Sequence, residues 1–338
     1  MARLSQTRQQ LDNILQAHAF LPILFLGVFL LSLAVQRFEL LDPYVQLVVM
    51  YIGINIILTL SLNLINGYMG EFSVGHAGFM AIGAYIASYL TVKIIPLSLS
   101  FWLFPLAVLA GGAGAAVIGL AVAFPSFKTR GDYLAIVTLA FVMIVKSAIE
   151  NIEALGGPRG FLGMEKLTTL PWVAFWVILS VWSIRNLVYS NFGRGILAIR
   201  EDELAASLMT VNTRHVKVLA FAVSAFFAGI AGALFAHLLQ FINPRSFDLL
   251  KSTDILIMVY LGGVGSLTGS ILGATAYTLL LEILRPLGVW RMALMPLLLV
   301  LLMLFRPRGI MGLREGLTLI PLRDRMATPP RKKEEGVS

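Results

Sequence analysis

A chain of 338 residues that is 58% hydrophobic and 13% charged, with a mean hydropathy of +0.85, has too little polar surface to cover a water-soluble globule. The net charge of +8 is carried by Lys and Arg, and the lack of cysteine excludes disulfides, thiolate metal sites and cysteine nucleophiles. The class that remains is an all-α, polytopic membrane helix bundle.

The first apolar run, Ala19 to Val35, follows Arg3 and Arg8. No small-residue cleavage site comes after it, so it reads as a first helix and not as a removable leader. Runs of about membrane length follow near 44–66, 77–95, 101–124, 133–149, 171–190, 216–240, 253–264, 268–284 and 291–305. The expectation is about ten transmembrane helices, some of them broken, over 19–310, between a segment 1–18 and a basic tail 311–338. With the N-terminus in the cytoplasm, 17 of the 26 Lys and Arg fall on the cytoplasmic side, including Lys128, Arg130, Arg194, Arg200 and Arg214. The acidic residues divide almost evenly, so the asymmetry belongs to the cations and both termini are expected to be cytoplasmic. The basic tail suits anionic lipid or an acidic partner, and no nucleic acid is needed to explain the charge.

In chain order, the first interruption of the helical pattern is Asn63-Leu-Ile-Asn-Gly-Tyr-Met-Gly-Glu-Phe-Ser-Val-Gly-His-Ala-Gly78. It sets Gly67, Gly70, Gly75 and Gly78 among Asn63, Asn66, Glu71, Ser73 and His76. The second is Tyr260-Leu-Gly-Gly-Val-Gly-Ser-Leu-Thr-Gly269, with Gly262, Gly263, Gly265 and Ser266. Non-helical backbone inside hydrocarbon needs protein or water to satisfy it, so paired Gly-rich breaks point to a substrate pathway between helices. The other reading is a pair of tight cytoplasmic turns between antiparallel helices. Glu71 is then a pathway charge or a hydrated turn residue, and His76 a pathway group or a link between helices.

Between the breaks lies a charged stretch, Arg194 to Lys217, in a chain that is otherwise apolar. Glu201, Asp202 and Glu203 suit a helix N-terminus, and Leu204, Leu208 and Val211 recur on one helical face. A short amphipathic helix of about 194–211 is predicted, either an ordinary solvated loop helix or one that a partner touches. In the span after it Ser224, Ala228, Gly232 and Ala236 recur every four residues beside Ala225, Gly229 and Ala233, a face made for close packing. Gly265, Gly269 and Gly273 repeat that spacing, and Gly111, Gly112 and Gly114 lie on the fourth span.

Absences narrow the function. None of the eight lysines follows a glycine, which removes a Walker A loop, and there is no nucleophile elbow or His-Glu-x-x-His helix. A membrane enzyme would need a convergent catalytic set, which is missing, and Asp254 and Glu282 stand apart in sequence. A gradient-driven transporter or channel would call for coupled carboxylates or a filter ring.

The first break, extended through Tyr85, resembles the signature of permeases of branched-chain amino acid ABC importers. So do Arg130-Gly-Asp-Tyr-Leu-Ala-Ile-Val-Thr-Leu139, Leu155-Gly-Gly-Pro-Arg-Gly-Phe-Leu-Gly163, Gly193-Arg-Gly-Ile-Leu-Ala-Ile-Arg-Glu-Asp-Glu-Leu-Ala-Ala206 and the second break. In order, they cover most of 45–310, and the Arg-Gly-Asp-Tyr stretch and long first helix make the chain more similar to the LivM-type subunit than to its LivH-type partner. The resemblance implies a non-enzymatic permease in a bacterial or archaeal plasma (inner) membrane. Its partners would be a LivH-type permease, two cytoplasmic ATPases and an extracytoplasmic binding protein. ATP would be bound by the ATPases, with no cofactor in this chain. By the same resemblance Arg194, Arg200, Glu201, Asp202, Glu203, Ala205 and Ala206 form the ATPase-coupling segment, with Thr210 where the family usually has glycine. Gly156, Gly157, Pro158 and Arg159 lie in the external loop that would engage the binding protein. The implied cargo is leucine, isoleucine and valine or other neutral amino acids, with urea or short amides as the alternative.

Overall fold

The structure is a computed structural model that describes residues 22–127, 133–209, 211–305 and 309–311. The segment 1–18, Lys128, Arg130, Thr210 and nearly all of the basic tail lie outside the described residues. Ten helices of the bundle are α1 (Pro22–Arg37), α2 (Pro43–Asn63), α3 (His76–Tyr89), α4 (Ser100–Ser126), α5 (Tyr133–Asn151), α6 (Leu170–Val188), α9 (Thr213–Leu239), α10 (Leu249–Gly262), α11 (Leu267–Ile283) and α12 (Trp290–Phe305). Two short helices, α7 (Asn191–Glu201) and α8 (Glu203–Leu208), sit between α6 and α9. A two-residue antiparallel pair, Phe161–Leu162 with Phe241–Ile242, is the single sheet among the described residues.

The all-α membrane bundle read from composition is therefore observed. Among the described residues six helical spans are long and apolar enough to cross a membrane, Pro43–Met69, His76–Ile94, Ser100–Ser126, Tyr133–Asn151, Leu170–Val188 and Thr213–Leu239, the first two counted with the looser turns that continue α2 and α3. The other four are shorter: the 14 residues of α10 and the 17 of α11 rise about 21 and 25 Å against a hydrocarbon core of about 30 Å.

Two helices form the axis of the molecule. α2 begins at Pro43, whose missing N–H costs nothing at a first helical position, with the Asp42 carboxylate accepting from the Tyr44 amide at 2.8 Å. It is apolar all round and buried from Gly53 to Asn63, as a central helix should be. α9 is likewise buried along most of its length. Around them α4, α5 and α6 turn Trp102, Val117, Ile136, Ile144 and Trp182 outward, toward where lipid would lie.

Cross-contacts fix the helix directions. Thr91, in the turn that continues α3, hydrogen-bonds His237 on α9, and Glu71 just before α3 reaches Lys217, both across 146 residues, so α3 and α9 run parallel. Asn63 meets Ser270 and Asn55 meets Thr278, so α2 and α11 run antiparallel. One end of the bundle thus carries both Gly-rich breaks together with α7 and α8. The opposite end carries the β pair and the starts of α2, α10 and α12.

The small residues do what their spacing predicts. Ala228, Gly232 and Ala236 on α9 are buried, and a Cβ on Gly232 would overlap the Met80 carbonyl oxygen of α3. A Cβ on Gly229 would stand 2.6 Å from the Ala115 Cβ of α4, so three backbones meet along one seam. Gly262, Gly269 and Gly273 seat α10 on α11 in the same way, whereas Gly265 lies in the turn between them.

Leucine at Gly232 would have to displace backbone. The expected cost is at or above the upper end of the about 1–3 kcal/mol of overpacking. Gly27 on α1 has nothing within 4 Å of its Cβ position, and Gly27→Leu should stay within roughly 0.5 kcal/mol of the parent. Thermal midpoints in detergent, read by size-exclusion chromatography, check both; equal midpoints would show that the α3–α9 seam is not close-packed.

Candidate functional site

The first break begins where α2 widens into a looser turn, Leu64–Met69, which ends at Gly70 with φ of 77°, a left-handed conformation that suits glycine. Residues 71–75 form an irregular connection, and α3 starts at His76. The Asn66 side chain closes the loop on itself, accepting from the Ser73 amide at 3.1 Å and donating to the Ser73 carbonyl at 3.3 Å. Thr138 of α5 receives the Val74 amide at 3.1 Å and stands 3.1 Å from where a Gly75 Cβ would be. Gly78 lies against the Phe141 ring, 2.8 Å from its own Cβ position.

Asn63 joins the two breaks. Its Nδ2 donates to the Ser270 hydroxyl at 2.7 Å and the Ser266 carbonyl at 3.0 Å, while its Oδ1 accepts from the Gly265 amide at 2.9 Å. Gly67 permits that approach, because a Cβ there would overlap Asn63 Oδ1 and the Gly265 nitrogen. Ser266 caps α11 through the Gly269 amide at 3.0 Å. From the other side, the Ile310 and Met311 amides donate to the Leu261 and Gly262 carbonyls at 2.9 and 3.0 Å, and Gly309 packs on Gly263. His76 is fully buried, its Nε2 2.9 Å from the Ser61 hydroxyl and 3.5 Å from that of Ser224, which itself donates to the Ser61 carbonyl at 2.5 Å.

The geometry of tight turns at helix ends is the one found for both breaks. Asn63, Ser73, His76 and Ser266 are fully buried and hydrogen-bonded, within their own break or across to another helix, so in this conformation they form a closed knot.

The charged stretch packs directly on this knot. Ser190 caps α7 at the Gly193 amide, 3.2 Å, and Gly193, Ile196 and Ile199 turn inward while Arg194 and Glu201 face out. Where a single helix over about 194–211 was predicted, the backbone leaves the helix at Asp202, with φ of −160° and ψ of 110°. The cause is the Asp202 carboxylate, which accepts from the Leu204 and Ala205 amides at 2.8 and 3.0 Å and starts a new helix, α8. Within α8 Ala206 is buried at 5% exposure, so it faces the bundle. The outward face is apolar: Leu204, Leu208 and Met209 are 66%, 78% and 76% exposed.

Lys217, which sequence reading passed over as one more cation of the stretch, holds the two parts together. Its ammonium lies 2.5 Å from Glu71 in the first break and 2.8 Å from Glu203 at the start of α8, and 5.7 Å from the Phe127 ring centroid. Beside it the Arg200 side chain lies over Gly70, its Cγ 3.1 Å from the Cβ position there. Glu71 is thus a paired charge at the edge of the knot. Only its separation of 146 residues from Lys217 hides the pair from a reading by periodicity.

At the opposite end the loop after α5 makes short turns through Gly156, Gly157, Pro158 and Arg159, of which Pro158 and Arg159 are exposed. The Phe161–Ile242 register and the Thr168 hydroxyl, donating to the Leu234 carbonyl at 2.8 Å, fix this loop on the end of α9.

Residues 44–305 match the family model described as "Branched-chain amino acid transport system / permease component". The chain is 35% identical over 294 residues to the high-affinity branched-chain amino acid transport system permease protein LivM of Escherichia coli, covering 76% of this chain and 68% of that one. It is 25% identical to a probable LivM of Methanocaldococcus jannaschii, over 86% of this chain and 96% of that one. To the LivH permease of Escherichia coli it is also 25% identical, over 76% and 90%. No solved structure matches.

Lys217→Met would strand Glu71, whose side chain is only 19% exposed, without its cation. The expected loss is about 2–3 kcal/mol, below that for a fully buried pair because Glu203 is half in solvent. Glu71→Gln in the same chain should recover a large part. Unfolding midpoints of the two single variants and the double variant form the check, and simple additivity would mean that the two charges do not act on each other.

Proposed function

Because this chain belongs to the family of branched-chain amino acid transport permeases, and so serves as a LivM-type permease component of an importer, we propose that it forms the translocation path together with a LivH-type second permease. In this reading α10, α11, α12 and α1 also cross the bilayer, giving ten spans with both termini in the cytoplasm of a bacterial or archaeal inner membrane. Two cytoplasmic ATPases bind ATP and dock on α7 and α8; an extracytoplasmic binding protein delivers cargo at the loop around Gly156–Arg159. The chain itself performs no chemistry on the cargo. Its cargo is leucine, isoleucine and valine or other neutral amino acids, as the names of the relatives support.

One observation carries the coupling reading: an apolar face, Leu204, Leu208 and Met209, stands exposed on a charged segment that Lys217 ties to the first break. A partner that grips this face and moves it pulls through Glu203 and Lys217 on Glu71, and through Asn63 on the second break. Differential contact of α8 with two ATPase states would then bias the bundle between outward-open and inward-open forms. The knot is closed here and must loosen for a cargo to pass.

Leu208→Glu, alone or with Leu204→Glu, is expected to leave the permease folded and to abolish co-purification of the ATPases, since it places charge in an apolar contact. Substrate-stimulated ATP turnover at the parent rate by an assembly carrying both changes would refute docking on α8.

Cargo is tested separately. In a reconstituted importer with its own binding protein, leucine should stimulate ATP hydrolysis and urea should not. The reverse order would reject the amino-acid reading while leaving the permease role in place.

A further inference from the structure

At the end of the bundle opposite α7 and α8, the helices α2, α10, α11 and α12 line a half-open cavity of about 540 Å³, within the about 300–1,000 Å³ of small-molecule sites. It is a polar chamber in an apolar fold. Asn55, Lys251, Asp254, Tyr277 and Arg291 all line it. Most of these groups belong to no network described above.

Two of its polar groups lack partners. Asn55 is 5% exposed and spends its Nδ2 on the Thr278 hydroxyl at 2.9 Å, but its Oδ1 is buried with no hydrogen-bond partner among the described residues. An unmet buried acceptor of this kind is costly and calls for a donor. Lys251 has no carboxylate within 4.0 Å among the described residues, and its ammonium lies 5.5 Å from the Phe235 ring centroid. Asp254, one turn further along α10, accepts from the Tyr277 hydroxyl and keeps its second oxygen for a ligand. Glu282 at the rim, by contrast, is already engaged by Arg285 at 3.1 Å and by Tyr44.

The chamber therefore offers a cation in Lys251 and an anion in Asp254. Leu47, Val48 and Leu281 form an apolar wall beside them. A free anion or a lipid phosphate would satisfy Lys251 and Arg291 but would face Asp254 with like charge. A zwitterion satisfies both. We propose that this cavity binds a free α-amino acid with an aliphatic side chain, its ammonium held by Asp254 and its carboxylate by Lys251. The importer reading is needed only to bring the cargo to this chain; the recognition chemistry is read from the cavity.

The lack of cysteine supplies the test. Thr253 also lines the chamber. In membrane vesicles holding the full-length Thr253→Cys chain, without binding protein or ATP, leucine should slow maleimide labelling about tenfold or more at saturation. 4-Methylpentanoate, which lacks the ammonium, and 3-methylbutylamine, which lacks the carboxylate, should not. Asp254→Asn, which keeps an acceptor for Tyr277, should raise the leucine concentration needed by about tenfold or more while leaving the unliganded labelling rate within about twofold. Lys251→Met should do the same. Equal protection by 4-methylpentanoate or by added phosphatidylglycerol would make this an anion or lipid site and overturn the proposal, as would no protection by leucine or undiminished protection in Asp254→Asn. Leucine-stimulated ATP turnover by the parent assembly without protection at Thr253→Cys would remove the cavity alone; protection without stimulated turnover would remove the cargo reading alone.

Discussion

A backbone amide or carbonyl buried away from water must find a partner, or cost the fold several kcal/mol. The turn between α10 and α11 meets this demand through one side chain on a helix about 200 residues earlier in the chain, Asn63. Everything near that end is arranged around the contact. Gly67 has no side chain so that Asn63 and Gly265 can meet, Gly262 and Gly273 let α10 and α11 come close enough for the turn to stay short, and residues 310–311 satisfy the carbonyls that end α10. An alanine anywhere in the set would be a small change in composition and a large one in geometry.

The same economy links the knot to the surface. α7 and α8 could have been an ordinary solvated connection, as half of their sequence suggests. Instead Lys217 neutralises one acid from each side, Glu71 and Glu203, and Arg200 covers Gly70, so a displacement of α8 is felt at the first break. Leu204 and Leu208 of α8 face outward while Ala206 faces in, the inverse of a helix that serves only its own bundle.

Much of this was legible beforehand. Apolar run length, the four-residue spacing of small residues and the clustered glycines identify the helices, the close-packing faces of α4 and α9 and both breaks, because each is a local or periodic property. The family signature runs through the same segments. What lay hidden were pairings between distant positions and the effect of single caps. Lys217 finds its acids only when α3 and α9 lie parallel; Asp202 splits the charged helix because its carboxylate competes for amides that a continuous helix would use differently. Asp254 stood in sequence as a lone carboxylate; Lys251, one turn before it on α10, was passed over, and the chamber that both line takes four helices to form. Ala206, placed in the coupling segment by resemblance, faces the bundle, which the pattern of α8 alone does not show.

The parallel pairing of α3 with α9 also sets a clock. The two halves of the Thr91–His237 contact are separated by 146 residues, which at a ribosomal rate of roughly 5–20 residues per second means that α3 is made roughly 7 to 30 seconds before the helix that fills its glycine groove. During that interval α4 and α5 can cover α3, through Gly111 against Gly83 and Phe141 against Gly78, but the face that Gly232 approaches waits for α9. Assembly of the central seam is therefore a late event by necessity, and a nascent chain arrested between α5 and α9 would present the insertion machinery with an exposed groove.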